Sequence, residues 1–285
     1  MSIFLPLPAR LRPLLLVFAC LPALAYPAWR HWFPAVAAGD WTYRVWAADI
    51  PRVSALLVGT DGELTFSQEF DDDKGSLARR DSSGGRHVLL EGLFKPDGLA
   101  AYQGGMAVGQ EGGRHSVLLL KGGQARSLFE AENVEGLASD KRYLYAIEDK
   151  KAGRLLRYDA HTGQLATLRE GLDEGEAVTV CADGRLYYTE KKKGWVKQWQ
   201  ASGEDRLVQA GLNAPGFLLC DAAGLWITED ATHMARVLLL PPTGPLQVVL
   251  EHLRSAQSLV ALAPGHYLLA EQGRNRILEI NRSGS

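Results

Sequence analysis

Three carboxylates, Asp97, Glu135 and Glu176, stand at the same position of consecutive sequence repeats. Carboxylates that are brought together repel one another unless a cation or protons compensate their charge. Calcium suits such a group, because it accepts roughly six to eight oxygen ligands in flexible geometry. We therefore predict that these three side chains bind a divalent cation, with Ca²⁺ as the best match. The alternative is that they are three unlinked carboxylates on surface loops.

The position that these acids share differs from repeat to repeat, so the fold alone does not dictate the residue found there. We call it the inner series, and in chain order it reads Val53, Asp97, Glu135, Glu176, Pro215 and Gln257. Asp97 and Glu135 are the first candidates for catalysis as well as for metal binding. Gln257 and Asn213, which lies two residues before Pro215, are secondary candidates.

A second series is regular. Each repeat contains an apolar strand that ends in an acid or its amide, and we call these ends the hairpin series: Gln68, Gln110, Glu148, Glu190, Glu229 and Glu271. Its four acids can form an anionic ring, so they are secondary candidates for the site. We favour a structural role, because a feature of every repeat serves what all repeats share. In that role the acid pairs with a nearby base or accepts backbone N–H bonds.

These residues belong to a unit of roughly 40 residues that recurs six times between Val53 and Ser285, a period typical of β-propellers. Each unit is predicted to form four short strands, A to D, as in Gly136–Ser139, Tyr143–Glu148, Arg154–Asp159 and Gln164–Glu170. The last unit lacks a fourth strand, and Trp41–Ala47 has the composition to supply it and close the ring.

The sequence therefore predicts an all-β fold over residues 41–285: a six-bladed β-propeller of four-stranded antiparallel blades, closed by an N-terminal strand that completes the last blade. An antiparallel hairpin places the start of strand A beside the end of strand B. The inner series and the hairpin series are therefore expected at one mouth of the central channel.

Three segments of these repeats resemble the six-bladed propellers of the gluconolactonase, senescence-marker-protein and strictosidine-synthase-like group. They are Lys95–Ala100 (K-P-D-G-L-A), Val134–Ala138 (V-E-G-L-A) and Gly153–Asp159 (G-R-L-L-R-Y-D). The resemblance implies a divalent cation, usually calcium, in the channel, and in many members the hydrolysis of lactones or esters. The sequence departs from the pattern of the group in its first blade, where Arg52-Val53-Ser54 replaces an expected glutamate ligand.

Two functions follow from this resemblance and from the acids. The first is an exported calcium-dependent hydrolase of a lactone or ester, in which the cation polarises the substrate carbonyl and a carboxylate acts as base toward water. The alternative is a non-catalytic propeller that binds a small ligand or a protein partner at the same mouth. The fold does not decide between them.

The N-terminus predicts export. Residues 1–25 combine Arg10 and Arg12 with an apolar stretch and a small-residue cleavage site at Ala23–Ala25, as in a signal peptide. An uncleaved membrane anchor and a lipoprotein site at Cys20 are the alternatives. Residues 26–40 are then a linker, and membrane association through the N-terminus follows from the anchor alternative. The net charge of −2 and the lack of a basic stripe argue against a nucleic-acid partner.

Two further short patterns carry expectations. Without the leader the chain has two cysteines, Cys181 and Cys220, at equivalent positions of adjacent repeats. An exported protein can join them, but we favour two buried thiols, because the inner strands of neighbouring blades usually lie too far apart for a disulfide. The run Lys191–Lys193 is expected to be a solvated turn.

Overall fold

The computed structural model describes residues 25–29, 31–59, 61–81, 84–140 and 142–283. The predicted signal peptide or anchor over residues 1–25 therefore lies almost entirely outside the described residues. The chain divides into two compact units, 1–35 and 36–285. In the described part of the first unit, residues 25–29 and 31–32 are helical. No helix among the described residues is long and apolar enough to cross a membrane.

The second unit is a six-bladed β-propeller, as predicted, and its sheets are antiparallel. Strands β1 and β2 are Val36–Ala37 and Trp41–Ala47. The strands of the first three blades are β3 (Val53–Val58), β4 (Leu64–Gln68), β5 (Gly75–Arg80), β6 (Arg86–Leu93), β7 (Pro96–Tyr102), β8 (Gly105–Gln110), β9 (Arg114–Lys121), β10 (Gln124–Glu132), β11 (Val134–Ser139), β12 (Tyr143–Glu148), β13 (Lys151–Asp159) and β14 (Gln164–Asp173). Within each of these three blades the strands follow chain order from the axis outward.

The remaining strands are β15 (Val178–Val180), β16 (Leu186–Glu190), β17 (Trp195–Gln198), β18 (Arg206–Gln209), β19 (Pro215–Asp221), β20 (Gly224–Glu229), β21 (Ala235–Leu240), β22 (Gln247–Leu253), β23 (Ala256–Ala263), β24 (His266–Glu271) and β25 (Arg276–Arg282). A 3-10 turn at Gln272–Arg274 joins the last two. The six inner strands β3, β7, β11, β15, β19 and β23 contact one another in a closed circle around the axis.

The N-terminal strands complete two blades. Strand β2 pairs with β25 and is the outer strand of the sixth blade. Strand β1, within the segment predicted to be a linker, pairs with β22 and adds a fifth strand to the fifth blade. Trp41 of β2 is buried and packs edge-on against Trp226 at a ring-centroid distance of 5.4 Å. The beginning of the propeller is thus fixed by packing as well as by backbone hydrogen bonds.

The core lies between neighbouring blades. Strands β8, β12 and β24 are almost wholly apolar and buried, because the neighbouring blades cover both of their faces. Leu144 and Ala146 of the third blade, for example, pack with Val117 and Leu119 of the second. Such contacts between blades form a continuous core and hold the ring in shape.

Cys181 and Cys220 form a disulfide with a Cα–Cα distance of 5.2 Å, so the prediction of two free thiols was wrong. The inner strand β15 has only three residues, and Cys181 lies just beyond its end. The chain turns there, since the N–H of Cys181 bonds to the carbonyl of Arg185 and its carbonyl accepts the N–H of Gly184. The two Cα atoms lie within the range that a disulfide requires. The bond joins the fourth blade to the fifth.

Candidate functional site at the channel mouth

The hairpin series belongs to the blades. Glu229 is fully buried, its two oxygens accept bonds from the Nε and Nη2 atoms of Arg236, and Oε1 also accepts the backbone N–H of Asn213 at 2.8 Å. Glu148 repeats this pattern with Arg154 and the N–H of Glu132. Each such acid ties strand B to strand C of its own blade. It also binds the backbone at or just after the end of the outer strand of the preceding blade. This is the structural role that we favoured for the series.

The other members make variants of the same contacts. Glu190 pairs with Lys193 and Lys197, and Glu271 with Arg274 and Arg276. The amide ends do likewise, since Gln110 accepts the N–H of Phe94 and donates to the carbonyl of Ser116, and Gln68 accepts from Arg86.

The inner series lies at the mouth, and local backbone irregularities aim it there. The pairing of β7 with β8 shifts register between Pro96 and Leu99, and that of β11 with β12 between Val134 and Gly136. Such bulges re-aim a side chain, here those of Asp97 and Glu135. A Cβ atom on Gly98 would lie 2.8 Å from the carbonyl oxygen of Glu135, so a glycine lets these two strands approach closely at the axis.

Asp97, Glu135 and Glu176 line one central cavity together with Gln257 and Ser258. Asp97 accepts a hydrogen bond from Ser54 of the first blade and a second from Glu135. Burial, and then the charges of Glu176 and Asp97, raise the pKa of Glu135 well above its ordinary value. Glu135 is therefore the more readily protonated member of this pair, and its carboxyl group hydrogen-bonds to Asp97. The structure brings the three predicted side chains together, while their catalytic and metal-binding roles stay predictions.

A third set of residues, which the sequence analysis missed, surrounds the inner series. It consists of the residue directly after each member of the hairpin series, and we call it the mouth series: Glu69, Glu111, Asp149, Lys191, Asp230 and Gln272. Side chains alternate along a strand, so when one residue points into the blade its neighbour points away from it. That alternation was the available signal, since the hairpin series was already assigned to the blades.

Lys191 shows why the mouth series matters. Its ammonium group contacts Glu176 and lies 2.9 Å from Asp230, and its side chain is 21% exposed. Burial alone lowers the pKa of Lys191, but Glu176 and Asp230 outweigh it and raise that pKa, so the group stays charged. The prediction of a solvated turn was therefore wrong for Lys191. Lys192, with a side chain 65% exposed, does lie at the surface, and Lys193 belongs to the contacts of Glu190.

The residues of the mouth fit a cation best between the second and third blades. Glu111, Glu135 and Asp149 each offer a carboxylate oxygen, and these oxygens lie within 4.8 Å of one another. Glu135 Oε2 and Asp149 Oδ1 are buried without a hydrogen-bond partner among the described residues. Burial raises the pKa of Asp149 to about 6. Unpartnered buried carboxylate oxygens favour a hard cation such as Ca²⁺.

This group differs from the predicted ligand set. It shares Glu135 with that set, but Glu111 and Asp149 come from the mouth series, whereas Glu176 already faces the ammonium group of Lys191. Of the secondary candidates, Gln257 donates from Nε2 to Asp230 at 2.8 Å, and Asn213 contributes its backbone N–H to Glu229. The four acids of the hairpin series are held in their blades.

The fold places the chain in the class of six-bladed β-propellers, and several solved structures share it. A gluconolactonase from Xanthomonas campestris has the same fold, with a TM-score of 0.72 and 14% identity over 87% of this chain and 97% of that one. A virginiamycin B lyase from Staphylococcus aureus has a TM-score of 0.59 and 16% identity over 80% of each chain. An auxiliary nutrient binding protein from Bacteroides thetaiotaomicron has a TM-score of 0.65 and 13% identity over 82% of this chain and 70% of that one.

No family model and no curated protein matches the chain. At these identities the solved structures establish the fold, and they confirm the fold to which the sequence analysis assigned the repeats. Because the three neighbours are described as a gluconolactonase, a lyase and a binding protein, the chemistry of this chain must be argued from its own mouth residues.

The crowding of acids makes stability depend on pH. Glu69 is mostly buried, and burial together with the charge of Asp97 raises its pKa to about 8. The pKa of a glutamate in an unfolded chain is about 4.3. Between these two values the folded state binds a proton that the unfolded state lacks, so the free energy of unfolding falls as the pH rises through this range.

We expect Glu69→Gln to remove that part of the pH dependence. On raising the pH from 5 to 8 without divalent cations, the wild type should lose on the order of 2–4 kcal/mol more unfolding free energy than the variant. Urea denaturation at both pH values measures this difference. Asp72→Asn, at a side chain that is 78% exposed, should behave as the wild type does. Equal losses in the wild type and in Glu69→Gln would contradict the effect.

Proposed function

We propose that the protein is a divalent-cation-dependent hydrolase of a small lactone or ester, and that the reaction takes place at the acidic channel mouth. The observation that carries this proposal is the group formed by Glu111, Glu135 and Asp149, whose carboxylate oxygens lie within 4.8 Å of one another. These half-buried carboxyl groups crowd together, and a bound cation would displace their protons and compensate their charge. Ca²⁺ fits best, because every side-chain donor is an oxygen.

Asp97 is the residue that we assign as general base. It is buried beside Glu135 and accepts hydrogen bonds from Ser54 and Glu135, which fix the orientation of its carboxylate. Burial raises its pKa, which brings the group closer to the working range of a base. When bound, the cation supplies Lewis-acid polarisation of the substrate carbonyl. Asp97 removes a proton from water as the water oxygen bonds to the carbonyl carbon, and the proton then passes to the departing alcohol oxygen.

Export is the location that we propose for this activity. The disulfide between Cys181 and Cys220 supports it, because such bonds persist mainly in oxidising compartments. The basic and apolar N-terminus supports it as well. We propose a periplasmic or extracellular propeller that acts on a small-molecule substrate, with an uncleaved N-terminal membrane anchor as the alternative to cleavage.

Hydrolysis and cation binding can be tested together. We expect saturating Ca²⁺ to stabilise the wild type by about 3 kcal/mol at a concentration near 100 times the Kd, which thermal melts record. On a panel of sugar lactones and simple esters, Glu135→Gln should lower kcat/KM by about 100-fold or more, since it replaces a ligand that ionises when the cation binds with a neutral amide. Glu132→Gln, at an outer and half-exposed acid, is the matched control and should retain activity.

Two results would count against the hydrolase in different ways. No melting shift with Ca²⁺, Mg²⁺ or Mn²⁺ would contradict the cation-dependent mechanism. A shift with Ca²⁺ but no turnover of any lactone or ester would favour the second function, a propeller that binds a small ligand at the mouth. The likeness in fold to a nutrient binding protein is the observation that favours this second function.

A further inference from the structure

Lys191 lies opposite the cation-binding group, on the side of the mouth formed by blades four, five and six. Its Nζ atom contacts Glu176 of the same blade and lies 2.9 Å from Oδ2 of Asp230 in the fifth blade. Asp230 Oδ1 in turn accepts a hydrogen bond of 2.8 Å from Gln257 of the sixth blade. One ammonium group thus holds together side chains that three blades contribute.

The oxygens around this ammonium group are those that a divalent cation would select. Glu176 is 1% exposed, and its Oε2 atom has no hydrogen-bond partner among the described residues although it lines the central cavity. Asp230 adds further oxygen donors, and Nε2 of Gln257 donates to its Oδ1 atom. Calcium accepts several carboxylate oxygens in one site. Without Lys191, two carboxylates would share a buried position with no counter-charge.

We propose that Lys191 is a tethered cation that occupies a second cation position, and that it limits the mouth to one exchangeable cation, the one bound by Glu111, Glu135 and Asp149. The second half of this statement rests on the proposed function; the first half does not. An ammonium group carried by the chain neutralises Glu176 and Asp230 at any ion concentration. It also keeps one side of the mouth fixed while the other side exchanges its ion.

The charge balance supports this assignment. Removing one partner from a buried ion pair leaves an uncompensated charge, which is strongly unfavourable. A free cation that enters the vacated space restores the balance, and its binding therefore becomes favourable. Lys191→Ala is the informative change because it removes the charge and leaves room for an ion.

The test is the number of Ca²⁺ ions that each chain binds in equilibrium dialysis. We expect one ion for the wild type and two for Lys191→Ala. Lys192→Ala, at the exposed neighbour, is the matched control and should bind one ion. Glu135→Gln should bind none, and the double variant with Lys191→Ala should bind one, at the position that Lys191 vacates.

The possible failures are distinguishable. If the wild type binds no ion and Lys191→Ala binds one, the tethered cation stands and the cation-dependent hydrolase fails. If Lys191→Ala binds no more Ca²⁺ than Lys192→Ala, the proposal is overturned. Should Lys191→Ala be poorly folded without calcium, thermal melts decide: a larger rise in its Tm with Ca²⁺ than for Lys192→Ala supports the proposal, and an equal or smaller rise overturns it.

Discussion

A chain that lacks residues 36–47 should lose cooperative unfolding and aggregate. The deletion removes β1 and β2, which leaves the outer edges of β22 and β25 unpaired in two blades. Long unpaired edges are templates for association between chains. The deletion also removes Trp41, whose loss alone costs about 3–5 kcal/mol at a buried site, against a total stability of about 5–15 kcal/mol.

Light scattering and thermal melts followed by circular dichroism measure this outcome. The matched control is a chain that begins at Val36, which keeps both strands and should melt as the full-length chain does. Trp41→Ala should give an intermediate result, a folded protein with a lower Tm, because the strand pairing remains. A monomeric deletion variant with an unchanged Tm would show that β2 does not close the ring.

Substitutions at two adjacent residues, Glu229 and Asp230, should show that the hairpin series stabilises the fold and that the mouth series belongs to the site. Glu229→Ala removes a fully buried acid from Arg236 and from a backbone N–H, so we expect a loss of about 3–5 kcal/mol in unfolding free energy. Its binding of Ca²⁺ should stay at the wild-type level, because Glu229 belongs to the hairpin series. Asp230→Ala changes the next residue, which faces the mouth and pairs with Lys191. Because Lys191 keeps its contact with Glu176, we expect a smaller loss, of about 1–2 kcal/mol.

Urea denaturation gives both free energies, and dialysis against Ca²⁺ gives the stoichiometry of each variant. Equal stability losses in the two variants would mean that the hairpin series and the mouth series are not distinct. A loss of calcium binding in a folded Glu229→Ala protein would mean that Glu229 does contribute to the cation site. Glu148→Ala, the corresponding change in the third blade, provides a replicate because its contacts repeat those of Glu229.

The blades could be predicted from the sequence because their signals are local. Strand β12 begins and ends at the predicted residues, Tyr143–Glu148. A short apolar run that ends in an acid and is followed by a base predicts one hairpin, and this signal does not depend on the rest of the chain. The departures are small: β13 begins at Lys151 rather than at the predicted Arg154, and β14 ends at Asp173 rather than at Glu170.

The site could be predicted only in part, because its contacts join residues that are distant in the chain. The inner series was found, since Asp97, Glu135 and Glu176 differ from the other repeats. The link of Lys191 to Asp230 was not, because a run of three lysines is ordinarily solvated, and only the orientation of strand β16 separates the first from the next two. The disulfide was missed for the same reason: the approach of Cys181 to Cys220 depends on how one short strand ends.

The sixth blade also determines when the fold can be finished. Its outer strand β2 is among the first parts of the propeller to be synthesised, and its partner β25 is the last, with Thr42 and Asn281 separated by 239 positions. The ribosome must therefore release almost the entire chain before this pairing can form. Until then the nascent protein holds an unmatched strand at its beginning and a growing, open array of blades behind it. Completion of the ring is thus a late event, and any partner that binds β2 first would delay it.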